Sequence, residues 1–325
     1  MKAFVFENYG SPDHLKRIEI AKPIPKADQI LVKIMATSLN SADWRSLNAD
    51  PFLIRFTMGL RKPKKNTILG ADFSGIVESI GENVTQFKIG DEVFGDLADH
   101  GFGAFAEYAL VPEKLLSFKP NNLNFEESAA LPLAAGTAFQ GLKKVNKVQK
   151  GQKILIYGAS GGVGNFAIQI AKAFGAEVTA VCSSKKIAAA RSSGADKVID
   201  YKQVDVTKAG QLYDVIIAVN GYHWIGDYKK ILTTQGTCII IGGSMKQIFQ
   251  GLLLGPFMSM GRTKKISSIT AKADQDSLLA LKELAETGKI VPVIDACYPF
   301  EQLPEAFRYM ESSQAKGKIV IRMTS

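Results

Sequence analysis

Lys153-Ile154-Leu155-Ile156-Tyr157-Gly158-Ala159-Ser160-Gly161-Gly162-Val163-Gly164 is the stretch that decides the fold. A short apolar, β-branched run ends in a cluster of small residues. An amphipathic run follows at once, with Val163, Phe166, Ala167, Ile170, Ala171 and Phe174 at helical spacing. Gly175 stops that helix, and Glu177-Val178-Thr179-Ala180-Val181 reads as a second strand. Strand, glycine turn, helix and parallel strand within about 30 residues make a βαβ unit of the dinucleotide-binding kind. A pyrophosphate is held by backbone N–H groups at a helix start, and a side chain there would keep it away. In the G-x-G-x-x-G pattern Ala159 takes the first place, a small departure, while Gly161 and Gly164 take the others.

The tip of the second strand selects the dinucleotide. An acidic residue about 20 positions past the glycines would hold the ribose hydroxyls of NAD. The chain instead reads Val181-Cys182-Ser183-Ser184-Lys185-Lys186, without a carboxylate. Hydroxyl and ammonium groups suit a 2′-phosphate, so NADPH is expected over NADH. A plainer reading has Ser183 and Ser184 capping the next helix and Lys185 and Lys186 in solvent.

At 325 residues the chain exceeds a single core, and two domains are expected. The net charge of +9 permits nucleic acid or an anionic membrane as a partner without requiring either. The apolar run Gly251 to Met260 is broken by Gly255 and Pro256 and falls far short of about 20 residues, so no bilayer span is expected. Met1 to Tyr9 meets Glu7 too soon for a signal peptide, which predicts a cytoplasmic protein. Cys182, Cys238 and Cys297 are far apart, and only His14, His100 and His223 could join them, so no metal site is expected.

From Met1 to about Asn122 short strands alternate with turns: Ala3 to Phe6, Ile30 to Ala36, Phe73 to Ile80, Glu92 to Phe94 and Phe105 to Val111. This predicts a partly closed β-barrel, with no helical period of convincing length before Phe125. Asn40, Asp43 and Arg45 follow a strand; they are either turn-formers or cleft residues facing the cofactor. Arg61-Lys62-Pro63-Lys64-Lys65 reads first as a solvated loop, then as an attractor of an anionic cofactor or surface. After the βαβ unit, strands at Lys197 to Ile199, Asp214 to Val219, Thr237 to Ile241 and Ile266 to Thr270 alternate with helices. They complete a doubly wound parallel sheet. Gln275 to Glu286 is an amphipathic helix, and the strands at Val291 to Phe300 and Lys318 to Arg322 return to the first module. The expected division is 1–124 completed by 272–325, with 125–271 as the nucleotide domain.

These residues resemble the zinc-independent quinone oxidoreductase branch of the medium-chain dehydrogenase/reductase superfamily. The likeness rests on Ile30-Leu31-Val32-Lys33 through Asn40-Ser41-Ala42-Asp43-Trp44, on Leu69-Gly70-Ala71-Asp72-Phe73-Ser74-Gly75, and on Gly90-Asp91-Glu92-Val93-Phe94-Gly95. Leu131-Pro132-Leu133-Ala134-Ala135-Gly136-Thr137-Ala138, the glycine turn, and Lys316-Gly317-Lys318-Ile319-Val320 extend it over nearly the whole chain. The resemblance implies an α/β protein with a GroES-like barrel domain on the substrate side and a Rossmann domain for NADPH. It implies that Ser160, Gly161, Gly162 and Val163 approach the pyrophosphate, and that Ser183, Ser184, Lys185 and Lys186 meet the 2′-phosphate. Tyr201 would look onto the adenosine end, and Thr137, Asn220, Gly242 and Gly243 would line the nicotinamide side. Asn40 and Arg45 match cleft positions, and Lys316 and Gly317 a strand near the cofactor. Zinc alcohol dehydrogenases carry a Cys and a His where this chain has Ser38 or its neighbours and Ala71. A homodimer is likewise implied.

The expected activity is hydride transfer from NADPH to a quinone or an α,β-unsaturated carbonyl, with Asn40 or Arg45 as candidate donors to the carbonyl oxygen. The rivals are a zinc-dependent alcohol dehydrogenase and an NADPH-binding module that acts through RNA or a membrane surface.

Overall fold

The computed structural model describes residues 1–145, 148–220, 223–243, 245–260 and 263–323. Its first elements are β1 (Lys2–Phe6), β2 (Leu15–Glu19), β3 (Gln29–Leu39), α1 (Ser41–Asn48), α2 (Ile54–Met58), β4 (Asp72–Ile80), β5 (Glu92–Asp96), β6 (Tyr108–Pro112), β7 (Leu116–Phe118) and α3 (Phe125–Ala129). There follow α4 (Pro132–Lys143), β8 (Lys153–Tyr157), α5 (Gly162–Ala173), β9 (Glu177–Cys182), α6 (Ile187–Ser192), β10 (Lys197–Asp200), β11 (Tyr213–Ala218), α7 (Ile225–Lys230), β12 (Leu232–Ile240), α8 (Met245–Phe249), α9 (Gly255–Ser259) and β13 (Lys265–Ser268). The chain closes with α10 (Gln275–Glu286), β14 (Ile294–Pro299), α11 (Leu303–Glu311) and β15 (Lys318–Arg322).

Two compact units result. The first comprises Met1–Leu133, Lys272–Thr287 and the segment from Pro292 onward; the second comprises Ala134–Ala271 with Gly288–Val291. In the first unit β3 organises a bent sheet in the order β14-β15-β3-β4-β5-β7. Its C-terminal half pairs with β15, and its N-terminal half pairs with β6. β3 is buried along most of its length, at the centre of the sheet between β4 on one edge and β15 and β6 on the other. The strand from the far end of the chain thus lies beside the one that leads into α1.

The second unit is a six-stranded sheet in the order β10-β9-β8-β11-β12-β13, every pairing parallel. The order reverses between β8 and β11, so their carboxyl ends form the crevice of a doubly wound sheet. Ile154, Leu155, Ile156, Val215, Ile216 and Ile217 are fully buried, as strands covered on both faces require. α5 turns Phe166, Ala167, Ile170 and Ala171 inward.

Three local features add to the sequence reading. α1 is a short helix of eight residues before Phe125, whose start is held by the Asn40 N–H donating to the Asp43 carboxylate at 2.9 Å. α11 lies where no helix was expected; it buries Leu303, Ala306 and Phe307. The run Gly251 to Met260 is helical through a π turn and α9, and it leaves Leu252, Leu253, Phe257 and Met260 more than half exposed. No helix among the described residues is long and apolar enough to cross a membrane.

Candidate functional site: a glycine turn and a buried ion network

In the second unit the glycine turn divides its labour. Gly158 leaves β8 with φ +82°, and a Cβ there would sit 2.8 Å from the Asn220 nitrogen. The tight-turn position is therefore Gly158, one residue ahead of Ala159, which is why alanine is tolerated in the pattern. At Gly164 a Cβ would lie 2.3 Å from the Gly158 oxygen, so this glycine lets helix pack on strand. Gly161, the N-cap of α5, has nothing within 4 Å of an added Cβ. Open space over the N–H groups that start a helix is what a pyrophosphate needs.

The neighbouring strand ends complete this edge. Gly158 and Ala159 donate to the Val181 oxygen at 3.1 Å, tying the turn to β9. Asn220 N donates to the Tyr157 oxygen at 3.3 Å, and a Cβ at Gly242 would lie 2.4 Å from the Val219 oxygen. Gly243 follows with φ +103°. Ser160, Gly161, Gly162, Val163, Asn220, Gly242 and Gly243 therefore gather at the carboxyl ends of β8, β11 and β12. Thr137 is buried on α4.

At the tip of β9, Ser183 precedes a turn over Ser184–Lys186, and its side chain makes no cap. Lys185 is exposed and Lys186 half-buried. Tyr201 is 45% exposed, and its backbone N–H reaches the Cys182 oxygen at 3.2 Å. The expectation of a carboxylate-free tip needs correction. Asp200, which closes β10, pairs across the ladder with Cys182 and accepts from the Ser184 hydroxyl. That bond holds the Asp200 carboxyl below its ordinary pKa. It also spends the one Ser184 hydroxyl hydrogen that a 2′-phosphate would have used.

The first unit holds a buried polar network. Lys318, on β15, lies 3.1 Å from Asp72 Oδ2, with side-chain exposures of 4% and 0%. The Lys318 ammonium also donates to Asn40 Oδ1 at 2.6 Å and to the Leu39 oxygen at 3.2 Å. Asp72 further accepts from the Ser38 hydroxyl at 2.7 Å, Asn40 Nδ2 at 2.9 Å and Leu133 N at 2.7 Å. The other Asn40 amide hydrogen goes to the Ser38 oxygen at 3.3 Å. Both Asn40 donors are committed inside the protein, so Asn40 has none to offer a substrate oxygen.

Asp43 is spent in the same way. It accepts from Asn40 N at 2.9 Å and Gly70 N at 3.0 Å, which joins α1 to the chain before β4. Burial pushes its carboxyl up to about 7, against the pull of those N–H groups. Burial, with Asp72 opposite on the ladder, likewise raises Asp96 to about 8. Asn40 and Asp43 thus hold the fold, and neither is placed to exchange a proton with a substrate. Arg45 is half-buried on α1, and Lys316 is exposed. Gly317 packs against β14's approach, where a Cβ would lie 2.2 Å from the Val293 oxygen. Trp44 is tied to α11 through Glu311 at 3.0 Å. Among the described residues no three His, Cys, Asp or Glu side chains converge on a metal position.

Comparison with known proteins agrees with this architecture. Residues 26–121 match the family described as alcohol dehydrogenase GroES-like domain, and residues 193–321 that described as zinc-binding dehydrogenase. The chain is 35% identical to 2-methylene-furan-3-one reductase of Solanum lycopersicum, across 99% of this chain and 79% of that protein. It is 32% identical, with the same coverage, to the chloroplastic NADPH-dependent alkenal/one oxidoreductase of Arabidopsis thaliana. Among solved structures, the quinone oxidoreductase from Coxiella burnetii superposes with a TM-score of 0.86 at 26% identity, covering 100% of this chain and 99% of that one. The chain belongs to the medium-chain dehydrogenase/reductase superfamily, in its quinone oxidoreductase branch.

Proposed function

We propose that the protein is an NADPH-dependent oxidoreductase that reduces a quinone or an α,β-unsaturated carbonyl without zinc. The observation that carries the cofactor assignment is the open space over Gly161, flanked by Gly158 and Gly164, whose missing Cβ atoms make the turn and the packing possible. When bound, NADPH supplies a hydride from its nicotinamide to the acceptor, leaving as NADP⁺, and water supplies the balancing proton. The chain's part is to position: the N–H groups from Ser160 to Val163 would hold the pyrophosphate, and Ser183, Lys185 and Lys186 the 2′-phosphate. Tyr201 would cover the adenosine end, and Thr137, Asn220, Gly242 and Gly243 the nicotinamide. Arg45, Lys316 and Gly317 come to this role through the family resemblance, with the 1–124 and 272–325 segments as the substrate domain and 125–271 as the cofactor domain. Arg45 takes over from Asn40 as candidate donor to a carbonyl oxygen. The relatives named for alkenal, furanone and quinone reduction support this acceptor class.

Zinc-independence is supported by charge. Ser38 or its neighbours and Ala71 stand where zinc relatives place ligands, and both Ser38 and Asn40 share Asp72 with the buried Lys318 ammonium. A dication there would face that ammonium. We also infer a homodimer through the β13 edge of the sheet and the exposed Leu252, Leu253 and Phe257 beside it.

The test is oxidation of NADPH, with NADH alongside, against a naphthoquinone, an alkenal and a cyclic enone, with metal analysis of the same preparation. Turnover favouring NADPH at substoichiometric zinc is expected. Tight NADPH binding with no turnover on any acceptor, or one zinc per chain, refutes the reading.

A further inference from the structure

From Pro51 to Ala71 the chain carries Arg55, Arg61, Lys62, Lys64 and Lys65 and no acidic residue. Within the same stretch Phe52, Leu53, Phe56 and Leu60 are 57–65% exposed, an unusual concentration of large apolar side chains in water. The segment is held in shape from beneath. Pro63 is buried, and Met58 packs on the cluster of Phe6, Leu69 and Phe307. The Tyr9 hydroxyl donates to the Gly59 oxygen at 2.8 Å, and the Arg55 guanidinium lies 4.6 Å from the Tyr9 ring centroid. Lys64 N donates to the Met58 oxygen at 2.8 Å, which folds the cations back beside α2. Gly59, at φ +130°, makes this turn; a Cβ there would meet the Lys62 oxygen at 2.2 Å. The Phe52 and Phe56 rings meet edge-on at 6.2 Å.

We propose that residues 52–65 dock the protein onto an anionic lipid surface. Phe52, Leu53, Phe56 and Leu60 enter the boundary between headgroups and acyl chains, and Arg61, Lys62, Lys64 and Lys65 meet the lipid phosphates. Charge complementarity selects the anionic surface: the stretch carries no carboxylate, and Glu7, which acts on Lys62 from β1's end, is itself paired with Lys16 at 2.8 Å. Lipid is favoured over single-stranded nucleic acid because two of the four exposed apolar groups are leucines, which offer a base no ring to stack on. The preformed turn lowers the ordering cost of docking. The inference stands apart from the hydride-transfer reading, since it uses none of the residues of the nucleotide edge.

The experiment is co-sedimentation of the full chain with vesicles of phosphatidylcholine mixed with phosphatidylglycerol, and with phosphatidylcholine alone, at low and high salt. Binding to the mixed vesicles is expected, at least about tenfold weaker on phosphatidylcholine alone and lost at high salt. R61Q/K62Q/K64Q/K65Q should weaken it by a hundredfold or more, at about fivefold per cation. F52S/F56S should weaken it by about tenfold or more through lost apolar insertion. K88Q/K114Q/K144Q/K150Q removes the same charge from exposed positions elsewhere and should cost no more than about threefold. Circular dichroism and thermal unfolding establish that each variant is folded. The proposal is overturned if the wild-type chain stays in the supernatant, if both quadruple variants lose binding equally, or if a single-stranded oligonucleotide binds more tightly than the vesicles and displaces them.

Discussion

Replacing Lys318 by Met removes the only cation that touches Asp72 among the described hydrogen bonds and keeps most of the side-chain volume. Asp72 is fully buried, so its carboxylate would be left facing three neutral donors, from Ser38, Asn40 and Leu133. Breaking a buried pair from one side costs about 3–5 kcal/mol. The three surviving donors move the expectation toward about 3, while Asn40 Oδ1 and the Leu39 oxygen each lose a donor and move it back up. About 4 kcal/mol is the working figure, with a similar cost for Asp72→Asn. The double variant should cost at least about 2 kcal/mol less than the sum, because it leaves no uncompensated charge. The assay suits the molecule: its two tryptophans, Trp44 and Trp224, lie one in each unit. In a Trp224→Phe background, urea unfolding followed by fluorescence reports the first unit alone. Costs that add within about 0.5 kcal/mol would show that the pair is no more than two neighbouring polar groups.

Other expectations follow from the same geometry. Gly164→Ala should destabilise the second unit by about 2 kcal/mol or more, because its Cβ meets backbone at 2.3 Å, whereas Gly161→Ala should leave stability within about 1 kcal/mol and weaken NADPH at least about tenfold. Calorimetry and cofactor titration separate the two. Lys185→Ala should raise the KM for NADPH several-fold and leave that for NADH unchanged; an equal effect on both would detach Lys185 from the 2′-phosphate. Asp43 and Asp96, raised to about 7 and about 8, hold protons in the folded state that they release in the unfolded one. Their contribution is therefore complete at low pH and lost as pH rises through those values, at up to about 1.4 kcal/mol per pH unit per group. The urea midpoint read from Trp44 should fall from pH 5.5 to about 8.5, and a midpoint that rises across that window refutes the burial argument. Leu253→Glu with Phe257→Glu should give a monomer by light scattering if the β13 edge is the dimer seam.

The parallel sheet was legible because each of its signals is local. A β-branched run, a glycine cluster and an amphipathic helix lie side by side between Lys153 and Val181, and the chain order of the later strands is that of their alternation with helices. The buried network was not legible. Asn40 and Lys318 are 278 residues apart, and nothing near either indicates that one side chain's acceptor is the other's donor. Asn40 was accordingly open to reading as a cleft donor. Asp200 was missed for a related reason: the carboxylate beside Ser184 comes from the neighbouring strand, and register across a ladder is set by packing. The α11 helix had a signal, Leu303, Ala306 and Phe307 at helical spacing, that the expectation of strands on either side obscured. The divided roles of Gly158, Gly161 and Gly164 needed backbone angles and clearances, which no spacing pattern contains.

The Lys318–Asp72 contact also sets an order of events at the ribosome. Asp72 and Asn40 are synthesised early, and their cation arrives 246 and 278 residues later. At about 5–20 residues per second that interval is on the order of tens of seconds. The second unit, whose strands β8 to β13 are contiguous in sequence, can close during it. The half-built barrel must wait with a charged group and an open β3 edge for β15 to emerge. Nascent chains of this protein therefore keep an unpaired β3 edge until late in translation, on the domain that was begun first.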